Sequence, residues 1–179
     1  MAKQVVEAPK IELARKIMES FYNVIDAIKY LRRNLRSQYH EKIRQYFNQK
    51  DLNDTQCGYL EPLYEIHQNR ELFIEFEKLK NKAKVNFGND LDDCFMGIIE
   101  IINKIEYASR ELCSYYDKNC SNDERDRDLI KEYRQTIYQR ENDKINQILN
   151  HTVEKVEKYL KPLYCNKILT PSKRIDKNK

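Results

Sequence analysis

Three glycines in 179 residues are too few to serve the tight turns of a β-sandwich or barrel, or to line the phosphate loop of a nucleotide-binding α/β fold. Tryptophan is absent, and proline occurs four times. No uninterrupted apolar run approaches the roughly 18 residues of a membrane span, so the chain predicts no membrane helix. The five cysteines, Cys57, Cys94, Cys113, Cys120 and Cys165, form an odd set without a CxxC pair, and no apolar signal segment opens the chain. Both features point to a reduced, cytoplasmic location. Metal chemistry lacks its usual spacing too. The Glu-x-x-His pair of di-iron bundles is missing, because Ser37, Tyr64 and Ile148 stand three residues before His40, His67 and His151. After His40-Glu41, Arg44 occupies the place where a zincin motif needs its second histidine. The expectation is therefore no metal and no cofactor, and no feature points to a small-molecule substrate.

What is abundant is Leu, Ile, Lys, Glu, Gln and Arg, a composition of long helices. The 33 Lys and Arg nearly balance 29 Asp and Glu, but unevenly along the chain. Residues 1–50 carry a net +6, residues 51–100 a net −6, residues 101–150 a net −1 and residues 151–179 a net +5. Two basic ends thus enclose an acidic second quarter, which solvates and pairs helix faces more readily than it binds nucleic acid by bulk charge.

Apolar residues recur every three or four positions from Ile11 through Ala14, Ile17, Phe21, Val24 and Ile28 to Leu31, predicting an amphipathic helix over about 9–36 with Pro9 in its first turn. A short helical piece follows within 37–50, then a turn or cap at Asp51-Leu52-Asn53-Asp54 and a further interruption at Gly58. A second long helix is expected over 60–87, with Pro62 in its first turn and Leu63, Tyr64, His67, Leu72, Phe76, Leu79 and Ala83 inward. His67 reads as a satisfied buried histidine. Gly88-Asn89 closes that helix, and the next, over 90–116, must return antiparallel. This third helix carries the most apolar stripe, from Leu91 through Cys94, Phe95, Ile98, Ile99, Ile102 and Ile105 to Leu112, and reads as the central one. Gly97 reads as permitting close helix packing. Residues 117–128 form the best loop, and a final helical region from Leu129 to Leu160 should break near 139–143, with Asn142 or Asp143 capping its second half and Pro162 limiting its continuation. The fold expected is all-α, an antiparallel bundle of four to five helices with long helical hairpins. It comprises one domain over 1–169 and a basic disordered tail over 170–179.

Two constellations suggest sites. Lys29, Arg32, Arg33 and Arg36 gather in the last turns of the first helix, where they complement its dipole and could form a basic patch for nucleic acid or an anionic membrane surface. Arg33-Asn34-Leu35-Arg36-Ser37-Gln38-Tyr39-His40 resembles the Arg-to-His motif of the HEPN ribonucleases. That resemblance implies metal-independent RNA cleavage, with His40 as general base or acid and Arg33 stabilising the phosphate, usually across a dimer. Here the pair falls at the end of the first helix, whereas that family carries it late in the bundle.

Three segments in order, Phe21-Tyr22-Asn23-Val24-Ile25-Asp26-Ala27-Ile28, Phe87-Gly88-Asn89-Asp90 with the following Phe95, Ile98 and Ile102, and Asn142-Asp143-Lys144-Ile145, are similar to an uncharacterised group of bacterial helical proteins. The resemblance implies the fold and a bacterial origin, and no activity. Members often carry a membrane helix before the position of residue 5; this sequence shows none there. The leading expectation is a non-enzymatic protein-interaction module, with a protein partner or self-association, cytoplasmic or peripheral to the inner membrane. The alternatives are the ribonuclease of Arg33 and His40, and a nucleic-acid or anionic-lipid binder.

Overall fold

A computed structural model of the chain describes residues 2–33, 39–116, 124–140 and 143–165. These residues form seven helices and no strand: α1 (Ala2–Leu31), α2 (His40–Tyr46), α3 (Asp54–Gln68), α4 (Arg70–Phe87), α5 (Asn89–Tyr115), α6 (Glu124–Ile137) and α7 (Lys144–Cys165). The protein is an all-α bundle. None of the described helices is long and apolar enough to cross a membrane. The tail over 170–179 lies outside the described residues, as do Arg36, Cys120 and Asn142.

α5 is the central helix expected from its stripe: it packs on α3, α4, α6 and α7 and buries Leu91, Cys94, Phe95, Ile98, Ile102, Ile105 and Leu112. α1 lies against α4 and α7. Phe21 of α1, Phe76 of α4 and Phe95 of α5 meet in the core at ring-centroid separations of 5.0, 4.6 and 4.5 Å. All three rings are buried, so truncating one to alanine removes about 3–5 kcal/mol. A second cluster, Ile43, Leu52, Cys57, Leu60 and Leu63, fastens short α2 to α3.

More helices form than the apolar stripes alone predict, because local polar groups divide them. The expected helix over 60–87 is two helices. The first starts earlier, where Asn53 and Gln56 form a reciprocal capping box: the Asn53 side chain accepts from Gln56 N at 2.9 Å, and the Gln56 side chain accepts from Asn53 N at 3.0 Å. It stops at Asn69, whose amide folds back onto the Glu65 carbonyl at 2.8 Å and competes with the helical ladder.

Neither Pro9 nor Pro62 occupies a first turn; both lie inside their helices. For Pro62 the reason is visible. Its missing N–H leaves the carbonyl of Gly58 without its ladder partner, and the Tyr138 hydroxyl donates to that carbonyl at 3.3 Å. Gly58 therefore sits within α3 rather than interrupting it. A Cβ built at Gly97 would meet nothing within 4 Å, so that glycine is not a close-packing position. Gly88 behaves as expected: at φ +88° and ψ −173° it takes a conformation essentially reserved for glycine and joins α4 to α5 without a further residue. α6 begins at Glu124, inside the stretch read as a loop. The break between α6 and α7 falls where expected, and Pro162 stands in the last turn of α7 without having ended it earlier.

Candidate functional site

Of the four residues of the basic patch, Lys29, Arg32 and Arg33 are described, and Arg32 is withdrawn from the surface. Lys29 donates to the Asn150 side chain on α7 at 3.1 Å. Arg33 is exposed, its guanidinium 5.8 Å from the Tyr30 ring, on a shallow cleft of about 620 Å³ shared with Asp26, Glu65 and Asn69. Arg32, expected on the polar face, is wholly buried. The helix has ended at Leu31, and the turn that follows directs Arg32 under the α6–α7 joint.

There the guanidinium is saturated. Nε donates to the Thr136 carbonyl at 2.8 Å, and Nη2 to the carbonyls of Gln135 at 3.1 Å and Tyr138 at 3.4 Å. Both carboxylate oxygens of Asp143 accept from it, at 3.0 and 3.2 Å, and Asn146 accepts at 3.2 Å. The Arg32 carbonyl in turn accepts from Gln139 N at 2.7 Å. Arg32 thus satisfies the orphan carbonyls that end α6, while Asp143 caps α7 by accepting from Asn146 N at 2.7 Å. Burial opposes ionisation of Asp143, but Arg32 and the N–H groups of Asn146 and Arg140 outweigh it and hold the carboxyl below its ordinary range. Arg32 is a structural keystone, committed inward on every side.

His40 is held through one ring nitrogen. Its Nδ1 lies 3.1 Å from Asp54 Oδ1, which also accepts from Arg44 Nη2 at 2.7 Å, while Arg44 Nε donates to the Leu52 carbonyl at 2.9 Å. The hydrogen bonds from Arg44 and His40 hold Asp54 below its usual range. This network ties α2 to the start of α3. His40 is not on the walls of the Arg33 cleft, so the structure does not gather the two residues of the Arg-to-His motif at that cleft.

Two acidic groups on α3 went unread in the sequence. Glu61 and Glu65, one turn apart, are buried, and Glu61 Oε1 has no hydrogen-bond partner. Burial, and then the neighbouring Glu65, push the Glu61 carboxyl up to about 8; burial also raises Glu65. Their position in a stretch of Leu60, Leu63 and Ile66 was the available signal.

Another cleft lies along the α4–α5 hairpin. It encloses about 330 Å³. α4 contributes Arg70, Phe73, Ile74 and Glu77, and α5 contributes Ile99, Ile102, Asn103 and Glu106. Each set is spaced i, i+3, i+4, i+7, one face of a helix. Ile66 and Phe76 form buried floor, Ile74 is 37% exposed on the wall, and Tyr46 of α2 closes one end. His67 lines the same end, its ring 5.6 Å from Tyr46, and its Nδ1 is enclosed without a hydrogen-bond partner. It is not the satisfied histidine expected. The sequence signal for this cleft was the adjacent pair Phe73-Ile74, which, with Phe76, gives α4 a stripe wider than one interface consumes.

Among the described residues, no three His, Cys, Asp or Glu side chains group to hold a metal ion. The chain matches no protein-family model, no curated protein and no solved structure, so its similarity to the bacterial helical group rests on the quoted segments alone.

Proposed function

We propose that the protein is a non-enzymatic helical-bundle module that works by docking another protein, and that the α4–α5 cleft is its docking site. One observation carries this reading. Two antiparallel helices present matched i, i+3, i+4, i+7 faces around an apolar floor, with Ile74 in the wall at 37% exposure, and no helix of the described chain covers them. A cleft of that form accepts an amphipathic helix, whose apolar side chains enter between the two walls. A reduced cytoplasmic setting suits the free thiols of Cys57 and Cys94.

The reading is tested by site-specific photocrosslinking in cells that naturally produce the protein. A photoreactive side chain at position 74 is expected to yield a discrete protein adduct, and one at Ile148, equally apolar and 48% exposed on α7, to yield none. No adduct at position 74, or the same adducts from both positions, would contradict it.

A further inference from the structure

Resting on that docking site, we infer that its partner is a basic amphipathic helix: an apolar stripe bracketed by two Lys or Arg side chains two turns apart. Three acids elsewhere on the same hairpin are matched locally. Lys78 pairs with Glu75 at 2.7 Å, Lys84 with Asp92 at 2.8 Å and Lys104 with Glu100 at 2.7 Å. On the walls of the cleft, Glu77 and Glu106 form no ion pair among the described residues, although lysines stand near them in sequence. Both flank the apolar floor of the cleft.

Their spacing sets the partner's. Because α4 and α5 are antiparallel about Gly88, Glu77 lies level with Ile99, which is equally far from that glycine. From Ile99 to Glu106 is two turns of α5, about 10 Å along the axis at 1.5 Å per residue. A docked helix lying between the walls therefore meets Glu77 from one flank and Glu106 from the other, with cations about two turns apart, and fills the interval with aliphatic side chains against Phe73, Ile74, Ile99 and Ile102. Arg70 fixes the direction. It lies level with Glu106 on the opposite wall, so that end of the cleft favours the negative C-terminal end of the partner's dipole, and Glu77 the positive N-terminal end. The partner helix runs antiparallel to α4 and parallel to α5.

The test uses two designed 18-residue helical peptides with the same leucine stripe, one carrying Lys and the other Glu at two positions about two turns apart on opposite flanks of the stripe. Fluorescence anisotropy at low ionic strength measures their affinity for the full-length protein. The Lys peptide is expected to bind at least tenfold more tightly, the preference to invert in the Glu77→Lys/Glu106→Lys double variant, and Ile74→Asp to abolish binding of both. Circular dichroism confirms that the variants are folded. Equal binding of the two peptides, lost in Ile74→Asp, would overturn the charge inference and leave the docking site standing. Binding of both that survives Ile74→Asp, or no binding of either, would remove the docking site itself.

Discussion

The α6–α7 joint and the α4–α5 cleft use polar groups in opposite ways. At the joint a buried guanidinium is placed against three backbone carbonyls, a carboxylate and an amide, so that every nearby donor has an acceptor within the chain. In the cleft an enclosed imidazole nitrogen lacks a partner and an aliphatic side chain faces solvent. Buried charge is tolerated where pairing is complete, because desolvation then meets full hydrogen bonding. Ile74, part-exposed beside an apolar floor, has no such role in the fold and is proposed to meet another molecule. The contrast separates residues that hold the protein together from those proposed to act outward, although both include arginines that look alike in the sequence.

The largest effect should come from breaking the joint. Arg32→Met strands the Asp143 carboxylate and the carbonyls ending α6, and should lower the unfolding free energy by about 3–5 kcal/mol in urea titration. Peptide affinity at the cleft should be unchanged under conditions where the variant is folded.

Glu61→Gln comes next and acts in the other direction. Glu61 has its folded carboxyl raised to about 8, so the native state holds a proton that the unfolded chain releases near its ordinary value of about 4.3. Native stability from this group is therefore full below that value, declines as pH climbs toward 8 and levels off above it. Glu61→Gln should match the wild type near pH 4 and gain a progressively higher melting temperature up to pH 8. Asp143 has the opposite slope: its depressed carboxyl contributes above the unfolded range and loses that contribution as acid protonates it.

Tyr138→Phe is smaller. It removes the hydroxyl that serves the Gly58 carbonyl opposite Pro62, and should cost about 1 kcal/mol by denaturant titration. Smallest of all is Ile74→Lys, expected to leave the unfolding free energy within about 0.5 kcal/mol while removing peptide binding, since the side chain already meets solvent.

Much of the fold was legible. The stripe from Leu91 to Leu112 identified the central helix, Gly88 its hairpin, and Asp143 a cap. What the stripes could not show were side chains acting across long sequence separations. Arg32 falls among Arg33 and Arg36 and reads as one more surface cation; only the fold brings the ends of α6 and α7 to it. Pro62 reads as a helix start because its compensating donor, Tyr138, lies on a different element. His40 carries a suggestive spacing from Arg33, yet Asp54 holds its Nδ1 and the ring is not on the Arg33 cleft. The cleft was half visible, in the surplus width of Phe73-Ile74, but its second wall required the register of the hairpin.

The account is tested most directly by amide hydrogen exchange of the protein with and without the Lys-flanked peptide. It predicts new protection confined to residues 70–77 and 99–106, with residues 135–140 and 143–146 at the joint unchanged. Protection at the joint, or none along the two walls of the cleft, would contradict it.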